Sequence, residues 1–322
     1  METITSRRHF GKFYLVITGS VLFFLILGFL VGALHDEAFT KAGGIVLLLV
    51  ASLLVFMAFY TVFRYFKNAP QIQVNSDSIT FNHSETYFWK DIEKIEMTGK
   101  RPFKFIGSEL IEGVLLKFKG QKEKYIFDDM YANTPAIKSF IQKVVIDKEP
   151  LKTTQISQVE SIDMINEVFV YYKGNQFSCM EGITLWLFLL PALFVLTKSL
   201  ILIKIGSIEG SFLFGMFIFL LFVFRLYYFG LSDDYLAIKL HNIFWFKKFY
   251  RLSDIREIVF ETHPKMPVCL RVITNDFESK MYPAATIWSK KWMQLKEDLE
   301  SKGIKVRNEC VSYEPFEFKL FQ

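Results

Sequence analysis

Trp89-Lys90-Asp91-Ile92-Glu93-Lys94-Ile95, set against Arg251-Leu252-Ser253-Asp254-Ile255-Arg256-Glu257-Ile258, decides how this chain is organised. Asp91 and Asp254 stand 163 residues apart in a chain of 322. Upstream of each lies a long apolar stretch. Downstream of each lie short strand patterns and then one helical pattern. An apolar hairpin followed by a polar, strand-rich segment therefore occurs in residues 13–148 and again in residues 182–305.

Apolar residues are 52% of the chain and phenylalanine alone numbers 36, an excess concentrated in four runs. Residues 13–34 and 42–63 contain no charge. At a rise of about 1.5 Å per residue, about 20 apolar residues cross the hydrocarbon core, so both runs qualify as spans. The second pair, 182–203 and 210–230, carries Lys198 and Arg225, each in the C-terminal half of its run. Long basic side chains there can reach the headgroups. Pro191 is tolerable inside a membrane helix. Two buried helices of a soluble domain are the alternative, but four such runs are hard to bury in a protein this small. The first run is longer than the apolar core of about 7–15 residues in a cleaved signal peptide, and we expect it to be retained.

Arg7, Arg8 and Lys12 precede the first span, Arg64 and Lys67 follow the second, and Asp36, Glu37 and Lys41 lie between. The positive-inside rule then puts both termini and both polar segments on the cytoplasmic side of an inner membrane. Lys198, Lys204 and Glu209 dissent mildly, but the first helix usually dominates. The net charge of +5 is mostly juxtamembrane. Residues 67–149 hold 13 basic against 12 acidic side chains and residues 231–322 hold 15 against 13, which counts against nucleic acid as a partner.

In the first polar segment, residues 71–74, 78–81 and 86–90 read as strands punctuated by Asn75, Asp77, Asn82 and Ser84. Residues 114–118 and 124–127 read as a hairpin around Gly120. Thr134-Pro135 opens a helix with Ile137, Phe140, Ile141, Val144 and Val145 on one face. The second segment predicts strands at 235–240, 243–250 and 255–261, a hairpin at 268–274 and 278–282, and a helix at 287–302. That helix presents Trp288, Trp292, Leu295 and Leu299, with Gly303 as its C-terminal cap.

A turn, then the "WKDIEKIE" stretch, then a hairpin and a capped helix resembles the bacterial PH-like domain families, often fused to paired transmembrane helices. The likeness is closer over 10–148 than over 182–305, where Arg251 stands in the place of Trp89. The resemblance implies an α+β membrane protein in which two transmembrane helical hairpins alternate with two PH-like domains. Each domain would be an antiparallel sheet or partly open barrel with a C-terminal helix plugging one end. The expected organisation is 1–66 for the N-terminal segment and first hairpin, 69–148 for the first domain, and 149–181 for a linker. It continues with 182–231 for the second hairpin, 232–307 for the second domain and 308–322 for a tail. The resemblance implies no catalytic residues.

The residues themselves offer little chemistry. Cys179, Cys269 and Cys310 are scattered and have no His or Cys at zinc spacing, so neither a metal nor a disulfide framework is expected. The five histidines form no metal-type pair, and no nucleotide-binding glycine motif is present, so we expect neither cofactor nor enzyme. Asp91 and Asp254 read as turn residues, and Asp128-Asp129 as a solvated loop. Residues 168–172 read equally well as a strand or an interfacial segment. Lys100, Arg101 and Lys104, around Pro102 in an expected loop, are the candidate contacts for acidic lipid headgroups. In the second segment Lys247, Lys248 and Arg251 are basic at a different position. The expected role is presentation of two cytoplasmic PH-like domains to lipid headgroups or to a protein partner, with self-association as a further contact. A transporter or channel built from two halves is the alternative, set back by spans with almost no polar residues. A membrane-tethered enzyme ranks below both.

Overall fold

The computed structural model describes residues 3–33, 41–104, 108–148, 167–201, 205–243, 246–263 and 266–310. It is a mixed α+β structure that divides into two compact units, residues 1–153 and 154–322.

In the first unit, strand β1 (Ile4–Thr5) leads through a π-helical turn (Phe10–Leu15) into α1 (Val16–Ala33), and α2 (Lys41–Asn68) returns. The helices are antiparallel. Phe13 meets Tyr65 and Phe66 with ring centroids 5.9 and 5.3 Å apart, and Gly28 lies against Ala51 and Leu54. Strands β2 (Ile72–Val74), β3 (Ser78–Phe81) and β4 (Glu85–Phe88) follow as a meander. β1 pairs antiparallel with β2, Ile4 opposite Val74. The helical pair is thus an insertion between the first two strands of a four-stranded sheet. An antiparallel helix pair returns the chain to where it left, as antiparallel neighbours require.

A 3₁₀ turn (Trp89–Asp91) carries the chain into a second sheet. β5 (Ile92–Glu96) and β6 (Lys100–Lys104) lie end to end along the long β7 (Ser108–Phe118), and β8 (Lys124–Phe127) also pairs with β7. Gly113 in β7 has its Cα so close to β8 that a Cβ would fall 2.6 Å from the Ile126 carbonyl oxygen. Helix α3 (Thr134–Phe140), continued by a π turn to Ile146, buries Ile137, Phe140 and Ile141. Its N-cap is Asn133, one residue before the expected Thr134, whose hydroxyl instead donates to Tyr131 O at 3.1 Å.

The second unit begins with β9 (Val170–Tyr172) and the packed helices α4 (Met180–Ile201), which keeps Pro191 inside, and α5 (Ile205–Val223). β10 (Tyr227–Leu231), β11 (Tyr235–Leu240) and β12 (Lys247–Arg251) complete a sheet in the order β12-β11-β10-β9. A 3₁₀ turn (Leu252–Asp254) leads to β13 (Ile255–Glu261), β14 (Cys269–Thr274) and β15 (Ser279–Pro283), and then to α6 (Ser289–Ser301). β16 (Val306–Asn308) adds parallel to β13. Phe229, Ile258, Phe260, Val272, Trp292, Leu295 and Leu299 form its core. Gly303 (φ +79°) ends α6 as expected.

Three helical segments among the described residues, Phe10–Val31, Leu48–Asn68 and Met180–Lys198, are long and apolar enough to cross a membrane. The described strands form antiparallel sheets, apart from β16, and do not close into a barrel. Several expectations need correction. The fourth apolar run ends its helix at Val223, and residues 227–231 are strand β10. A strand buried on both faces is apolar throughout, so composition alone does not separate it from a helix end. The segment 149–181 contains β9, which pairs Tyr172 with Phe229, so residues 170–172 belong to the sheet rather than to a linker. Residues 149–166 and the tail beyond Cys310 lie outside the described residues. The second unit's domain therefore extends beyond 232–307 to include β9, β10 and all of β16, through Asn308. Trp288 precedes α6 and is 64% exposed, while Trp292, Leu295 and Leu299 face inward.

Candidate functional site

The three basic residues picked from the sequence do not form one exposed cluster. Lys100, Arg101 and Lys104 lie on strand β6 rather than in a loop, paired with Glu112, Ile111 and Ser108. Side chains alternate along a strand, so Arg101 takes the face opposite Lys100 and Lys104. Arg101 is buried, and its guanidinium is spent locally. Nε donates to Gly113 O (3.2 Å), Nη2 donates to Thr98 O (3.0 Å), and Nη2 pairs with Glu96 at 2.7 Å. It clamps the break between β5 and β6. The side chain of Lys104 lies outside the described set.

A concavity of the first unit lies elsewhere, where its two sheets meet beneath the end of α2. A cavity of about 370 Å³ is lined by Lys67 and Asn68 from that helix, Glu85 from β4, and Glu123, Lys124 and Tyr125 at β8. The Lys124 ammonium pairs with Glu85 at 2.5 Å and lies 5.2 Å from the Tyr87 ring centroid. Its hydrogen bond to Lys124 holds the Glu85 carboxyl below the usual range. Burial opposes the charge on Lys124, but bonding to Glu85 and Tyr87 outweighs it and raises the ammonium pKa. Tyr125 donates to Glu123 at 2.6 Å, and burial together with that carboxylate pushes its phenol up to about 12.

The second unit builds the same seam differently. Strand register makes the positions comparable, since Phe81 stands opposite Glu85 as Ile238 stands opposite Lys248. Likewise Leu116 stands opposite Lys124 as Val272 stands opposite Lys280. The pair at the positions of Glu85 and Lys124 is therefore Lys248 and Lys280. Two residues further along each strand, Tyr250 and Tyr282 join hydroxyl to hydroxyl at 2.6 Å. The Lys248 ammonium lies 4.7 Å from the Tyr250 ring centroid. Burial, and then Lys280 within hydrogen-bonding reach, lower the Lys248 pKa to about 8. Burial also pushes the Tyr282 phenol up to about 12. Sequence reasoning noted Lys248 but set it aside as out of register with the first segment's basic residues. The usable signal was the count back from the turn: Lys248 and Glu85 both stand six residues before the aspartate of their 3₁₀ turns.

The other candidates are structural. Asp91 and Asp254 close their 3₁₀ turns, and it is their main-chain carbonyls that accept, from Lys119 N (2.9 Å) and Asn275 N (2.8 Å). Trp89 and Leu252 open those turns, and both are buried with N–H groups donating to Asp77 O and Asp234 O. Leu252, not Arg251, is the counterpart of Trp89. Asp128 is not solvated. It is buried and pairs with the fully buried Lys138 of α3 at 2.7 Å, while its neighbour Asp129 pairs with Lys12 at 2.5 Å. A loop between a strand and a helix can be buried once the helix folds over it, which charge patterning cannot register. Burial and then the nearby Lys173 charge lower His241 to about 4, and its ring meets Thr286 Oγ1 at 3.1 Å. Among the described residues no group of three or more His, Cys, Asp or Glu side chains could hold a metal ion, and none of the three cysteines is in a disulfide.

No protein-family model matches the chain, and no curated protein matches it.

Proposed function

We propose that this chain is a non-enzymatic, multi-pass inner-membrane protein built by tandem duplication, presenting two cytoplasmic PH-like domains to lipid headgroups or to a protein partner. One observation carries the reading. In each unit a helical pair interrupts a sheet between its first and second strands, β1 and β2 in one and β9 and β10 in the other. Only four residues separate Thr5 from the turn that begins at Phe10, and only three separate Asn68 from Ile72. Such short connections hold a sheet against the base of its helices, so a concavity between the sheets would stay near the headgroups. Arg8 supports this anchoring, with Nε donating to Ala69 O at 3.1 Å and its guanidinium over the Phe66 ring. Each unit runs four strands, a 3₁₀ turn, further antiparallel strands (four in the first unit, three in the second) and a closing helix, an order that supports both the duplication and the PH-like reading.

The test is topological. Reporter tags fused at Gly120 and at Asn275, both in turns between strands, should come up on the cytoplasmic face, and the protein should resist carbonate extraction. Tags on opposite faces, or a protein released by carbonate, would overturn the reading.

A further inference from the structure

We propose that the seam of the second unit is a binding site for a phosphate-type oxyanion, held between Lys248 of β12 and Lys280 of β15. This deepens the headgroup-contact reading and rests on it only for the lipid source of the anion.

The bond between the Tyr250 and Tyr282 hydroxyls at 2.6 Å fixes which residues of the two sheets face each other. Side chains two residues apart share a strand face, so Lys248 and Lys280 face each other one step along the seam from the tyrosines. Lys248 is half-buried, with its ammonium 4.7 Å from the centroid of the Tyr250 ring behind it. The nearby carboxylate neutralises the pair weakly. Glu278 reaches Lys280 at 3.7 Å, and both side chains are about half exposed, at 41% and 54%.

The first unit shows what a satisfied seam looks like: Glu85 and Lys124 at 2.5 Å. Two ammonium groups at the same two places repel, and that repulsion adds to burial, the larger cause, in lowering the Lys248 pKa. An oxyanion with several acceptor oxygens would accept a hydrogen bond from each ammonium and turn the repulsion into two charge-assisted bonds. A phosphate monoester or diester has that geometry. Lysines act on it as point charges, without the planar fork an arginine would impose.

The experiment uses the full chain in nanodiscs, read by hydrogen–deuterium exchange over residues 246–252 and 278–283. One arm titrates inorganic phosphate into phosphatidylcholine discs. The other replaces part of the lipid with phosphatidylglycerol and adds no phosphate. For a soluble ligand at ten times its dissociation constant, exchange at the seam should slow about tenfold. Slowing in the first arm identifies a soluble phosphate as the source, and slowing in the second alone identifies a lipid headgroup. In either case Lys248→Glu should abolish the effect, while exchange over residues 84–90 and 122–128 should not respond. The Glu85–Lys124 pair shows that such a seam accommodates a carboxylate opposite a lysine, and Lys248→Gln serves as a second variant. No slowing in either arm, or slowing that survives both variants, would overturn the site. A chain that stays soluble without discs would instead overturn the membrane reading, and the phosphate titration could still be run in solution.

Discussion

The first unit places Glu85 and Lys124 across its seam, and the second places Lys248 and Lys280 at the same register positions. A second exchange lies deeper. Asp128 follows β8 and its N–H donates to Glu112 O, just as Ala284 follows β15 and its N–H donates to Val268 O. The first unit buries an ion pair there, Asp128 with Lys138. The second buries Ala284 and fills its core with Trp292, whose ring lies 4.7 Å from Phe260 and 5.5 Å from Phe229. One backbone plan thus tolerates opposite electrostatic solutions. The first unit neutralises its charges internally. The second has an apolar interior at this point and sets a half-buried Lys248 beside the more exposed Lys280 at its seam.

The sharpest way to break this comparison is at the buried pair. Lys138→Met alone should destabilise the first unit by about 3–5 kcal/mol, because Asp128 loses its buried counter-charge. Adding Asp128→Ala, the second unit's solution, should recover most of that loss. Denaturant melts followed by exchange over residues 124–141 would measure both. A double variant no more stable than the single one would show that the two interiors are not interchangeable.

The 3₁₀ turns come next. Leu252→Ala should cost the second unit about 2–5 kcal/mol. Trp89→Leu, which installs that unit's residue in the first, should cost less. Its loss includes about 1 kcal/mol for the indole hydrogen bond to Asn75 O at 2.9 Å. Equal losses would mean that Trp89 and Leu252 do different work.

The effect of pH sharpens the seam itself. Lys248 faces Lys280 and the Tyr250 ring, with Glu278 beyond, and its pKa falls from 10.5 to about 8 on folding. Between those values the unfolded chain binds more protons at this site, so the stability of the second unit should rise as pH goes from about 8 to about 10. Lys280→Gln should flatten that rise. In the first unit, Glu85 is lowered, so its contribution is present at neutral pH and is lost as pH falls through the carboxylate range. Melts at stepped pH, with exchange to tell the units apart, would check both directions. The smallest effect belongs to Glu85→Gln, expected at about 1 kcal/mol or less because the pair is largely solvated.

Sequence alone determined the apolar helices, the hairpins around Gly120 and Asn275, both closing helices and the cap at Gly303. Each depends on residues close together in the chain, so periodicity and turn chemistry suffice to reveal it. Tertiary structure decided the rest. β1, two residues long, carries no pattern of its own and exists because β2 offers an edge across the inserted helices, and the edge of β10 decides that residues 170–172, readable as strand or interfacial segment, are β9. β10 hid at the end of an apolar run because full burial erases the alternation that marks a strand. Asp128 and Lys138 became a buried pair only once α3 covered the end of β8. Lys248 and Lys280 belong to different sheets, and they became neighbours only because Tyr250 and Tyr282, 32 residues apart, bond across the seam.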